Sequence, residues 1–184
     1  MRQPGDARAL YGPDEDVLPE VDFVAYSLHE RLSGTVRLDS ARLSDMLNNH
    51  DEFVLERALA ERLPEGGSMV VPEILVRRNE LALVMAAGPR GNRALRIRTE
   101  SHPLVLRVGR YLVSGRLHTA LGEGPLNSIR SRQSMVPLTA AAIEFRVAQD
   151  VVEEAASTIV VNRDLVDWVR EGARFGDGSE VPWG

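Results

Sequence analysis

Cysteine is absent from all 184 residues, which removes disulfides, thiolate metal sites and cysteine nucleophiles together. Lysine is absent too, so the 22 basic residues are all arginine. Uniform loss of lysine reads as compositional drift in a GC-rich genome, because guanidinium recognition would not require deleting lysine everywhere. Aromatic residues make up only 5%, few for stacking nucleobases. No apolar run approaches the ~20 residues of a membrane span. The opening stretch MRQPGDARALYGPDEDVLPE is acidic and broken by proline and glycine, unlike a basic start followed by an apolar run. A soluble, cytoplasmic protein is expected.

What is present is enough apolar material, 43%, to bury a core of one domain or two small ones. The net charge of −5 is unevenly placed. Asp6, Asp14, Glu15, Asp16, Glu20 and Asp22 stand against only Arg2 and Arg8 at the front, whereas Arg93 to Arg132 holds eight arginines against Glu100 and Glu123. Such asymmetry sets the two segments apart in charge.

The chain reads as one module written twice, with copies about 80 residues apart. Ser33-Gly34 matches Ser114-Gly115, Leu47-Asn48 matches Leu126-Asn127, Phe53-Val54 matches Met135-Val136, and Ile74-Leu75-Val76 matches Ile159-Val160-Val161. The spans are 1–20 as a disordered acidic arm, 21–88 as the first module, 93–171 as the second, and 172–184 as a flexible tail. Phe23 to Leu38 alternates as bent strands, with Gly34 at a bulge. Ser40 is placed to cap a short helix whose Leu43, Met46 and Leu47 share a face and which Asn48-Asn49 ends. Residues 52–63, FVLERALAERL in the main, have helical spacing, but their counterpart MVPLTAAAIEFRV carries Pro137 inside, which a helix interior rejects and an edge strand or strand start accepts. Both copies are therefore assigned to strand. VPEILV and LALVMA around Arg77-Arg78-Asn79-Glu80 predict a hairpin, as does TIVVNRDLVDWV around Asn162-Arg163-Asp164. Leu95 to Thr99 alternates as a further strand. The fold class expected is mainly β: two tandem SH3-like or Sm-like small barrels, closed to remove their edges, each with a short helical turn. A β-sandwich is the alternative.

Gly109, Gly115, Leu117 and Asn127 occupy the places of the first motif of the Sm-type barrel, which the second copy resembles. The acidic residue expected before the asparagine is missing and Asn162-Arg163-Asp164 replaces the closing Arg/Lys-Gly, so the resemblance implies fold and not RNA binding. Both copies are also similar to an uncharacterised prokaryotic β-domain family with the pattern RLSDxLN, then F[VI]PLTxA, then VN[RK]D. Arg42 to Asn48, Val136 to Ala140 and Val161 to Asp164 carry it.

Paired catalytic groups are not found. His29, His50, His102 and His118 lack ligand spacing and read as surface histidines. No nucleotide-binding glycine loop and no nucleophile elbow occurs. No cofactor or metal is expected, and the protein is not expected to be an enzyme. Two candidate sites remain. One is a basic face of Arg96, Arg98, Arg107, Arg110, Arg116, Arg130 and Arg132, suited to phosphates or carboxylates; the other is a polar loop of Asp45, Asn48 and Asn127. The expected function is a non-enzymatic protein-binding or scaffold protein, with protein as partner. A nucleic-acid-associated protein using the Arg93–Arg132 region is the second reading, a membrane is excluded, and homo-oligomerisation is left open.

Overall fold

The computed structural model describes residues 18–63, 66–88 and 98–172. The expected arm as far as residue 17, the tail beyond Gly172, the Gly88–Asn92 connection beyond Gly88 and the strand at Leu95 to Thr99, apart from Arg98 and Thr99, lie outside them; the arm's expected end at residue 20 is corrected, since Glu20 already pairs with Arg37 in the first strand. The architecture is mainly β. Ten strands form one open antiparallel sheet: β1 (Glu20–Tyr26), β2 (Glu30–Arg37), β3 (Glu52–Arg62), β4 (Ser68–Arg77), β5 (Leu83–Ala86), β6 (Glu100–Val108), β7 (Tyr111–Thr119), β8 (Met135–Val147), β9 (Asp150–Asn162) and β10 (Trp168–Glu171). Helix α1 (Leu43–Asn49) joins β2 to β3, and α2 (Pro125–Ser131) joins β7 to β8. The spatial order is β10-β6-β7-β8-β9-β5-β1-β2-β3-β4.

Residues 52–62 form a strand, as the proline of the other copy required. Pro137 stands near the start of β8, ahead of Thr139, where the rungs with β7 end. It is not on an edge strand, because β8 lies between β7 and β9. Two expectations are corrected. Neither hairpin forms: β4 pairs with β3 and β5 with β1 and β9, while β10 pairs with β6. Single 3₁₀ turns, Arg78–Glu80 and Arg163–Leu165, lift the chain out of one strand and into a non-adjacent one. The sheet also does not close, since β4 and β10 each end it with one edge unpaired among the described residues.

Bending is concentrated where two glycines were expected to allow it. The β2–β3 register shifts between Ser33 and Thr35, and the β7–β8 register between Ser114 and Arg116. Opposite these shifts, Arg57 (φ 51°) and Ala140 (φ 45°) are left-handed residues, each skipped by the rungs to the next strand. Holding a residue with a Cβ there costs about 1–3 kcal/mol, sustained by the ladders on either side. A Cβ on Gly34 would lie 2.5 Å from the Glu56 carbonyl oxygen, so glycine is required for the strands to approach.

Two apolar cores result. One gathers Phe23, Leu38, Leu43, Met46, Leu47 and Leu55 around α1; the other gathers Leu104, Leu106, Tyr111, Leu117, Ile129 and Leu138 around α2. They exchange residues: Met135 and Val160 belong to the first, Tyr26, Ala82 and Leu83 to the second. In α1 the buried face is Leu43, Met46 and Leu47, as its spacing predicted, but Arg42 is the N-cap residue and no side chain caps the helix, so Ser40 does not serve there. Among the described residues no helix is long and apolar enough to cross a membrane.

Candidate functional site

Of the arginines expected to form one basic face, Arg107, Arg110 and Arg116 are spread along the β6–β7 hairpin, and Arg130 and Arg132 lie at the end of α2. Arg96 lies outside the described residues, and Arg98 is exposed just ahead of β6. Arg107 stands opposite Leu112 and Arg116 opposite Pro103, four rungs apart, or about 13 Å. Their guanidiniums serve mainly as clamps on nearby backbone. Arg107 Nε donates to the Gly109 carbonyl at 2.5 Å, Arg110 to the Arg146 carbonyl at 2.8 Å, and Arg116 to the Ser101 hydroxyl at 2.7 Å and its carbonyl at 3.1 Å. Arg132 donates to the His118 carbonyl and the Ser128 hydroxyl. Burial lowers its pKa, against the pull of Glu123. Arg130 is exposed at the end of α2.

The polar trio does not assemble. Asp45 and Asn127 are exposed on different helices, while Asn48 turns away from solvent to the backbone of β8. Its Nδ2 donates to the Met135 carbonyl at 2.9 Å and its Oδ1 accepts from the Met135 N–H at 3.0 Å. The buried spacing Pro125, Ser128, Ile129 in α2 repeats Leu43, Met46, Leu47 in α1. Arg130, and not Asn127, therefore holds the helical position of Asn48. Three histidines also depart from expectation, each half-buried: His50, whose Nε2 is 2.5 Å from Asp39 Oδ2, His102, between Glu100 and Glu171, and His118, whose Nε2 is 2.8 Å from the Thr139 hydroxyl.

The most built region is the seam where β5 meets β9. Leu83, Val84 and Met85 stand opposite Val161, Val160 and Ile159, and all but Met85 are fully buried. Beside them Asn162, itself buried, donates Nδ2 to the Leu81 carbonyl at 2.9 Å while its Oδ1 accepts the Asp164 N–H at 3.2 Å. One amide thus shapes the 3₁₀ turn and ties it to the other half of the chain. Its only sequence signal was the VNRD run, which read as a turn. At the same end of the seam Tyr26, which stands opposite Leu83, packs with Tyr111 and Phe145, the ring centroids 5.4–5.6 Å apart. Tyr111 donates its hydroxyl to the Ser27 carbonyl at 2.6 Å, and burial pushes its pKa up to about 12. Burial, with the Glu154 carboxylate beside it, raises Tyr26 further. Arg31 donates to the Tyr26 hydroxyl and to Glu61 at 2.6 Å. Burial alone would lower its pKa, but those two acceptors outweigh it and raise it.

At the ends of the sheet the same kinds of strand face outward. On β4, Met69 and Val70 are exposed, and Leu75 is 56% exposed beside its cross-strand neighbour Val54 at 48%. On β10, Trp168 is 40% exposed. Pro72 and Glu73 interrupt the middle of β4, a pattern that discourages indiscriminate edge pairing. Three rungs of apolar edge, Ile74 to Val76, remain beyond them. Among the described residues no three carboxylate or imidazole groups gather as a metal-ligand set. No family model matches the chain, and no curated protein or solved structure matches it either.

Proposed function

We propose that this chain is a non-enzymatic protein-binding scaffold, two duplicated small β modules of the Sm-like or SH3-like kind joined edge to edge. The duplication is supported by equal strand orders, β5-β1-β2-β3-β4 and β10-β6-β7-β8-β9. It is supported too by Gly34 and Gly115 at matching register shifts, by the left-handed pair Arg57 and Ala140, and by a 3₁₀ turn before the last strand of each half.

The observation that carries the binding role is the β4 edge, where an unpaired run of backbone donors and acceptors is flanked by the exposed Val54–Leu75 pair. Such an edge accepts an added strand, main-chain hydrogen bonds supplying affinity and flanking apolar side chains specificity. The test is capture from the native host on the wild-type chain and on Leu75→Lys. Partners held by the wild type and lost with Leu75→Lys support the reading; identical capture by both chains opposes it. Nucleic acid bound with a steep fall in affinity at rising salt would favour the basic region in its place.

A further inference from the structure

We infer that the partner of these edges is a second copy of this chain, docked head to tail with β10 of one copy against β4 of the next. This rests on the reading of the edges as binding surfaces and adds the identity of the occupant.

The template lies within the chain. At the internal seam β5, whose Leu83, Val84 and Met85 are held by Tyr26, Ala25 and Val24 of β1, pairs with β9, whose Val161, Val160 and Ile159 are held by Val136, Pro137 and Leu138 of β8. The two outer strands are held in the same manner. Trp168, Val169 and Arg170 stand opposite Arg107, Leu106 and Val105, and Val76, Leu75 and Ile74 opposite Phe53, Val54 and Leu55. Repeating the seam between copies therefore sets Trp168 against Val76, Val169 against Leu75 and Arg170 against Ile74. Residues fully buried at the internal seam, such as Val160 and Leu83, correspond to the exposed Leu75 and Trp168 outside it. A head-to-tail contact would cover both.

The surroundings agree in charge. Internally, Asn48 on α1 grips Met135, the β8 residue opposite Asn162. In the corresponding places Arg130 ends α2, and Glu52 stands opposite Arg77 on β3. Arg130 of one copy would face Glu52 of the next, opposite charges where the internal seam has an amide. Arg77, exposed at the end of β4, is a donor like the Asn162 whose position it holds. Pro72 cannot donate a ladder hydrogen bond and limits the pairing to the few rungs that the internal seam also uses. A contact between two different patches propagates from copy to copy and ends as a ring or a filament.

The absence of cysteine makes a clean experiment. The full-length chain carrying Leu75→Cys and Val169→Cys, oxidised and run without reductant, should give a covalent ladder extending past the dimer, whereas Leu75→Cys alone should stop at dimer. Sedimentation of the unmodified chain from about 1 to 100 µM should show species heavier than one chain. Glu52→Arg or Arg130→Glu should each weaken the association about tenfold or more, and the two together should restore it. Circular dichroism checks that these substitutions, at the exposed Glu52, Leu75 and Arg130 and at the half-buried Val169, leave the fold intact. A chain that stays monomeric, a double-cysteine chain without the ladder, or association indifferent to both charge reversals would overturn the inference. If the chain is monomeric yet a host protein is still captured in a Leu75-dependent way, self-pairing falls and the scaffold reading stands; if neither occurs, both fall.

Discussion

Asn48 and Met135, 87 positions apart, are joined by two hydrogen bonds, the side-chain amide of one reading both backbone groups of the other. Helix α1 is thereby fastened to β8, a strand of the other half. Asn48→Ala leaves that N–H and C=O without partners in a half-buried place, and is expected to cost about 1–3 kcal/mol. Asn48→Asp, which keeps the acceptor and loses the donor, should fall between it and the wild type. Urea unfolding of the three chains checks the order; equal midpoints would show that the clasp contributes nothing.

The two bulge glycines differ in how tightly they are enclosed. A methyl group at Gly34 would meet the Glu56 carbonyl oxygen at 2.5 Å, whereas at Gly115 its nearest neighbours are the Ala141 and Leu138 Cβ atoms at 3.0 Å. At 2.5 Å something must shift, whereas at 3.0 Å the neighbours need give only a few tenths of an ångström. Gly34→Ala is therefore expected to destabilise by about 2–3 kcal/mol and Gly115→Ala by about 1, as thermal denaturation would measure. The reverse order would refute the close approach at β2 and β3.

Tyr111 gives the fold an alkaline limit. Its phenol ionises near 10 when unfolded and at about 12 when buried, so the unfolded chain releases its proton first. The stabilisation is complete below pH 10 and is lost as the pH rises from there through about 12. Tyr111→Phe should flatten part of this decline. At neutral pH it should cost about 1 kcal/mol, because the Ser27 carbonyl loses its donor. Stability curves against pH for both chains, alongside phenolate absorbance, supply the check.

Much of the local structure was legible in the residues. The doubled Ser-Gly placed both bends, and Pro137 settled the strand at 52–62 against its own helical spacing. Alternation, however, says which face a side chain takes and not which strand lies beside it, so β4 and β5 read as a hairpin although their partners lie elsewhere. The candidate site fared less well for a related reason. A count of arginines records charge, but Arg110, Arg116 and Arg132 direct theirs to carbonyls and hydroxyls a turn or a strand away. Asn48 and Asn162 looked like turn residues because their partners, Met135 and Leu81, are distant in the chain.

Tyr26 belongs by sequence to the first half and by packing to the core of the second, while Met135 does the converse. A gene cut between the halves would send each product out with a hole where the other's side chain belongs. Made together in one cell, residues 1–88 and 98–184 should find one another and reconstitute the native sheet without a covalent tether, so the molecule lends itself to split-protein complementation.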